Sequence, residues 1–151
     1  MTPVAIFDLD DTLANTSMRS EGFDFDNATD PQWDEYFHKC STDTPIEPVI
    51  AMLRALVRER YAVIILTGRN AVARVDTHAW LFKHLGLTVD EMERVSLVMR
   101  PRNNRQKNVD FKRDHINKIG VANIVVAVDD DEKVCNMYRS CGIMTLRVHH
   151  N

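Results

Sequence analysis

The chain has 151 residues, 44% of them hydrophobic and 27% charged, with a formal net charge of -3. That length suits one domain and leaves little room for a second. The composition excludes a disordered chain, and the slight acidity excludes a molecule that holds nucleic acid by bulk positive charge.

The first predicted element is a strand over residues 4–7, a short apolar run that ends in Asp8, Asp10 and Asp11. An apolar run of this kind suits a parallel strand buried on both faces. It is too short, and turns acidic too soon, for a signal peptide or a spanning helix. Residues 16–45 come next and break the pattern: they are polar, acidic and aromatic, with Phe23, Phe25, Trp33, Tyr36 and Phe37. A connection this long inside a compact domain is functional or disordered, and the aromatic side chains argue against disorder. We expect a small flap over the strand ends, with a short helix over 31–39.

The rest of the chain alternates. Strands are predicted over 62–66, 95–99, 124–128 and 143–148, and helices over 48–60, 71–85, 111–119 and 132–140. The apolar spacing of Val49, Leu53, Leu56 and Val57 is helical. Gly86, Gly120 and Gly142 stand where C-terminal glycine caps belong. Alternating strands and helices predict an α/β fold: a doubly wound, Rossmann-like parallel sheet of about five strands, with the flap inserted after the first. The whole chain, 1–151, is read as one domain. Ligands of such sheets bind beyond the carboxyl ends of the strands.

Those ends carry the chemistry. The first strand ends at Asp8, Asp10, Asp11 and Thr12, the second at Thr67, Gly68 and Arg69, and the fourth at Asp129, Asp130 and Asp131; Lys112 opens the helix before the fourth strand. Converging carboxylates repel and raise one another's pKa, and a hard dication bound through oxygen relieves this. Each acidic cluster alone has a plain reading, as a solvated turn or a helix N-cap. The four groups at matching strand ends do not.

FDLDDTL at 7–13, ILTGR at 65–69, Lys112 and VAVDDD at 126–131 resemble the four motifs of the haloacid dehalogenase superfamily of phosphatases. The resemblance implies Asp8 as a nucleophile forming an aspartyl-phosphate and Asp10 as general acid and base. It implies Mg²⁺ held by Asp8, the Asp10 carbonyl, Asp129 and Asp130. Thr67 and Lys112 would hold the phosphoryl oxygens, and Thr12 would fix the turn. The chain is more closely similar to the 3′-phosphatase domain of bacteriophage-type polynucleotide kinase/phosphatases. Arg19 stands eleven residues after Asp8, CSTDTPIEPVI at 40–50 resembles that group's flap end, and Arg69 and the 97–112 region also match. This implies Arg19 and Arg69 as substrate-binding residues. The substrate would be a phosphorylated nucleotide or nucleic-acid end, with no membrane partner. Where that group has an acidic residue before the lysine, this chain has Asn108, and Asp110 is the nearest carboxylate.

The basic stretch Arg100, Arg102, Arg105, Lys107, Lys112, Arg113 and Lys118 reads either as a phosphate-backbone footprint or as solvated surface. Trp33, Tyr36 and Phe37 read either as a base-stacking platform or as the flap's own small core. No GxxxxGK[ST] occurs, so the chain carries no kinase half. The three cysteines, Cys40, Cys135 and Cys141, are odd in number and form no CxxC pair, which suits a reducing, cytoplasmic setting. A 5′-nucleotidase is the alternative enzyme. A phosphoacceptor signalling module is the alternative from another class, disfavoured because receiver domains place the acceptor on the middle strand and lack a flap.

Overall fold

The computed structural model describes residues 2–150. Its core is a five-stranded parallel sheet of order β5-β4-β1-β6-β7. These are β1 (Val4–Phe7), β4 (Ala62–Asn70), β5 (Val95–Arg100), β6 (Ile124–Asp129) and β7 (Thr145–Arg147). Two short strands, β2 (Ala14–Asn15) and β3 (Thr44–Pro45), pair antiparallel at the base of the flap. The α/β expectation holds.

The strands are apolar on both sides because both sides are covered. Ala5 and Phe7 of β1, with Val63 and Ile65 of β4, face α3 (Glu47–Arg58) and α4 (Arg74–His84), where Ile50, Leu53, Trp80 and Leu81 are buried. Ile6, Leu66 and Ala127 face α6 (Asn108–Ile119) and α7 (Glu132–Ser140), where Phe111, Ile116, Met137 and Tyr138 are buried. The period of two along β1 thus divides the molecule into two apolar layers.

β1 lies at the centre, with β4 on one side and β6 on the other. The strand order reverses there, so a crevice opens beyond the carboxyl end of β1. The elements that end at this edge deliver Asp8, Thr67 and Asp129.

Three details differ from the expected boundaries. β4 runs past Leu66 to Asn70, with a register shift between Thr67 and Asn70 that places TGR in the strand itself. The predicted 71–85 helix is a 3-10 turn, Ala71–Ala73, followed by α4; the Asn70 side chain accepts from the Val72 N–H and starts a separate turn there. The last strand begins at Thr145, since Ile143 turns its N–H back to the Tyr138 carbonyl after Gly142, whose φ is +81°.

The flap helix is present as α2 (Asp30–His38), closed at its start by a capping box between Thr29 and Gln32. It follows the short α1 (Ser17–Ser20); a further short helix, α5 (Val89–Met92), precedes β5. Phe23, Phe25, Trp33, Tyr36 and Phe37 pack edge to face and in stacks, with centroids 4.4 Å apart for Phe23–Tyr36 and 5.6 Å for Trp33–Phe37. They form the flap's own small core, and Phe25, Trp33 and Phe37 also face the crevice. No helix among the described residues is long and apolar enough to cross a membrane.

Candidate active site

The turn after β1 is wound tightly around one carbonyl. Leu9 accepts from the N–H groups of Thr12, Leu13 and Ala14 at 3.2, 2.9 and 3.0 Å. Asp11 sits at φ +60°, a left-handed conformation that aspartate tolerates better than most residues. Its carboxylate accepts from both the N–H and the hydroxyl of Thr16. The outcome is a fixed Asp8 at the sheet edge, with its own N–H bonded to the Val128 carbonyl at 2.9 Å.

Asp8 is held from two sides. Lys112 donates to its Oδ1 at 2.8 Å, and Thr12 donates to its Oδ2 at 3.1 Å. Lys112 also donates to Asp129 Oδ2 at 2.7 Å. Burial alone would push Lys112 down, but Asp8 and Asp129 outweigh it and hold the ammonium well above its ordinary value. Oxygens of Asp8, Asp129 and Asp130 lie within 4.8 Å of one another. Burial and the neighbouring Asp8 charge push Asp129 up to about 6 and Asp130 up to about 8. One lysine cannot compensate three clustered carboxylates, and three hard oxygen donors around one point suit a small dication. Asp131, the third of the acidic run, instead caps α7 by accepting from the Val134 N–H at 3.0 Å.

Asp10 belongs to a second, separate cluster. Its Oδ1 accepts from Arg69 at 2.5 Å and from Arg19 at 2.8 Å. Behind it lies Asp43, which accepts from Arg19 Nε at 2.8 Å and from Arg69 at 3.2 Å. Two guanidiniums and two carboxylates cancel in charge. Burial raises Asp10, yet Arg69 and Arg19 outweigh it and hold the carboxyl below its ordinary value. Arg69 also donates to Thr77 at 3.0 Å, and the Arg19 guanidinium lies 4.4 Å over the Tyr36 ring.

The two arginines expected to bind substrate both meet Asp10 and Asp43. Their side chains are 0% exposed, and Arg69 lines the cavity beside Asp10. Both donate to Asp10 and to Asp43, and Arg69 donates to Thr77 as well. Asp43, 3% exposed, is the partner the sequence reading missed. Two buried arginines around one carboxylate require a second, but their burial is not written in the sequence.

Thr67 is buried at the end of β4 and accepts from the Arg69 N–H at 3.0 Å, which leaves its own hydroxyl hydrogen free to donate. With Asp8, Asp10, Asp129 and Asp130 it lines a cavity of about 740 Å³. The flap forms one wall and the loop after β5 the other. Arg100 folds that loop inward, donating to the Gly68 carbonyl at 3.2 Å and to Asn104 and the Gln106 carbonyl at 2.8 Å. Asn108 lines the cavity and packs on Gly68, where an added Cβ would stand 2.6 Å from its Oδ1. Asp110 points away and pairs with Arg113 at 2.8 Å. The basic stretch is thus divided: Lys112 is at the site, Arg100 is structural, and Arg102 and Arg105 stand at the rim.

An aspartate at the end of the central strand, a buried lysine, a strand-end threonine and an acidic pair beyond the neighbouring strand form the set expected of a phosphatase of the haloacid dehalogenase type. Solved structures share the fold. The structure of the Pnkp1/Rnl/Hen1 RNA repair complex matches with a TM-score of 0.74 and 24% identity over 97% of this chain and 42% of that one. A second Pnkp1/Rnl/Hen1 structure matches with a TM-score of 0.73 and 25% identity over 97% and 46%. The chain therefore spans less than half the length of these proteins. A HAD family enzyme from Bacteroides thetaiotaomicron, in complex with magnesium and inorganic phosphate, matches with a TM-score of 0.55 and 14% identity over 97% and 94%. Comparison with curated proteins found no match. Residues 2–151 match the family model for the polynucleotide kinase PNKP phosphatase domain, and the chain belongs to that family.

Proposed function

We propose that the chain is a magnesium-dependent phosphomonoester hydrolase that works through phospho-Asp8 and removes 3′-phosphates from polynucleotide ends. The observation that supports this best is the separation of the two aspartates. Asp8 sits among Lys112, Thr12 and the acidic pair, while Asp10, two residues on, is braced by Arg19 and Arg69. This separation supports different roles for the two, Asp8 to attack and Asp10 to carry a proton.

In the first half-reaction an Asp8 oxygen bonds to phosphorus and the ester oxygen leaves, taking a proton from Asp10. Asp10 is ionised in the free site; the phosphoryl charge beside it raises its proton affinity and loads it for that step. In the second half-reaction Asp10 deprotonates a water, which attacks phosphorus and releases Asp8. The Thr67 hydroxyl and the Lys112 ammonium face the phosphoryl oxygens. Asp8, Asp129, Asp130 and the Asp10 carbonyl would hold Mg²⁺, which supplies charge neutralisation for the phosphoryl group. Arg19, Arg69 and Asp43 act on Asp10 as positioning residues.

The 3′-end reading draws on the family, on the structural likeness to components of an RNA repair complex, and on the open rim with Arg102 and Arg105. A flap of this size leaves a strand end free to enter. The free thiols of the buried Cys40 and Cys135 suit a reducing, cytoplasmic setting. The test is a panel of 3′- and 5′-phosphorylated oligonucleotides and mononucleotides, with Mg²⁺ and with excess chelator. Turnover of the 3′-phosphorylated strand in Mg²⁺ alone is expected. A preference for 5′-mononucleotides would replace this reading with the nucleotidase.

A further inference from the structure

Two ion pairs have no part in the chemistry above. Arg102, in the loop after β5, donates to Asp34 of α2 at 3.1 Å, and Arg105 donates to Asp30 at 3.1 Å. All four residues line the cavity, so the pairs tie the flap to the basic loop. Asp30 and Asp34 are one helical turn apart and present one acidic edge. The Arg105–Asp30 side chains are 80% and 74% exposed, and those of Arg102–Asp34 are 66% and 32% exposed. Pairs this solvated add little to the stability of the fold and exchange partners readily.

The other end of α2 is anchored differently. Tyr36 is buried, lies under Arg19 and bonds to Ser20 at 2.9 Å, with the exposed His38–Asp76 pair beyond it. The flap is therefore fixed at the C-terminal end of its helix and latched by exposed charge at the N-terminal end.

We infer that Asp30 and Asp34 are selectivity residues that occupy Arg102 and Arg105 until two backbone phosphates of an entering polynucleotide displace them. The inference rests on the polynucleotide-end reading proposed above. For a strand, each arginine exchanges a carboxylate for a phosphodiester, and the released flap edge can move aside. A small phosphomonoester carries no flanking charge, gains nothing from the exchange, and reaches Asp8 with the latch closed. The acidic edge therefore sets a threshold: a ligand must bring at least two flanking phosphates to profit from the rim.

The test uses the full chain, a 3′-phosphorylated oligonucleotide and an aryl phosphate, with the variants D30N/D34N and R102A/R105A. In D30N/D34N the KM for the oligonucleotide is expected to fall roughly three- to tenfold, as two exposed pairs allow. Aryl phosphate turnover should stay within about twofold on that scale. R102A/R105A should raise the oligonucleotide KM, and adding D30N/D34N to it should change nothing further. Hydrogen exchange of the α2 amides from Trp33 onward, where the helix hydrogen bonds begin, should quicken in both variants. Unchanged exchange in both would show that there is no latch, whatever the substrate. Faster exchange with an unchanged or raised oligonucleotide KM in D30N/D34N would overturn the competition. A wild type that turns over the aryl phosphate and neither binds nor cleaves the oligonucleotide would overturn the polynucleotide reading and the selectivity role with it, while the exchange data would still report on the latch.

Discussion

Asp10 and Asp43 meet Arg19 and Arg69 in a buried quartet whose charges cancel, and the balance fails if one member is lost. Asp43→Asn leaves two guanidiniums to a single carboxylate. Breaking a buried pair in this way costs about 3–5 kcal/mol, to be read from the melting midpoint. It also leaves both arginines on Asp10, which holds that carboxyl lower still. If Asp10 is the general acid proposed above, the alkaline limb of the kcat profile is therefore expected to move to lower pH. A role confined to folding would lower stability and leave the limb where it is. Asp8, Lys112 and Asp129 were legible in the sequence because strand ends converge by topology. Asp43 was not, because nothing local marks which acid of a flap will turn inward. Arg19 and Arg69 were legible as candidates for the site, but their contacts with Asp10 and Asp43 were not, since the chain pattern does not show which acids an arginine meets.

The elements that could be read from the sequence are those long enough to show a period. The apolar spacing of α3 and the continuous apolar run of β1 are both found in the fold, and the aromatic cluster marked α2. The β2–β3 pair and α1, each two to four residues long, are held by contacts across the flap and carry no period of their own. The junction of β4 with α6 offers an element-scale test. Gly68 is needed there because Asn108 fills the space a Cβ would take. Gly68→Ala is expected to cost about 1–3 kcal/mol by overpacking and to lower activity by displacing the cavity wall. Asn108→Ala in the same chain should recover most of the stability. A double-mutant cycle reads the coupling, and additive losses would show that the two residues do not share that space.

Across the whole molecule the acidic edge sets the response to pH. Asp130, pushed up to about 8, and Asp129, up to about 6, bind protons in the folded state that the unfolded chain has released. Stability of the metal-free protein is therefore expected to fall as pH rises through these values. Asp10 acts in the opposite sense: its lowered pKa adds stability that disappears only at the acid end, as pH falls through the folded value. Mg²⁺ should raise the melting midpoint more at pH 8 than at pH 5, because a cation competes with protons for the same oxygens. An equal rise at both values would place the cation elsewhere.

The proposed phosphate transfer onto Asp8 has a direct readout in the Asp10→Asn variant supplied with Mg²⁺ and an aryl phosphate. The activated leaving group needs little help from an acid, so the first step proceeds, while the second lacks its base. After an acid quench, peptide mass analysis is expected to find phosphate on the peptide that carries Asp8, and none when Asp8→Asn is added. Phosphate bound to another side chain, or turnover by Asp8→Asn near the wild-type rate, would contradict the assignment of Asp8 as the nucleophile.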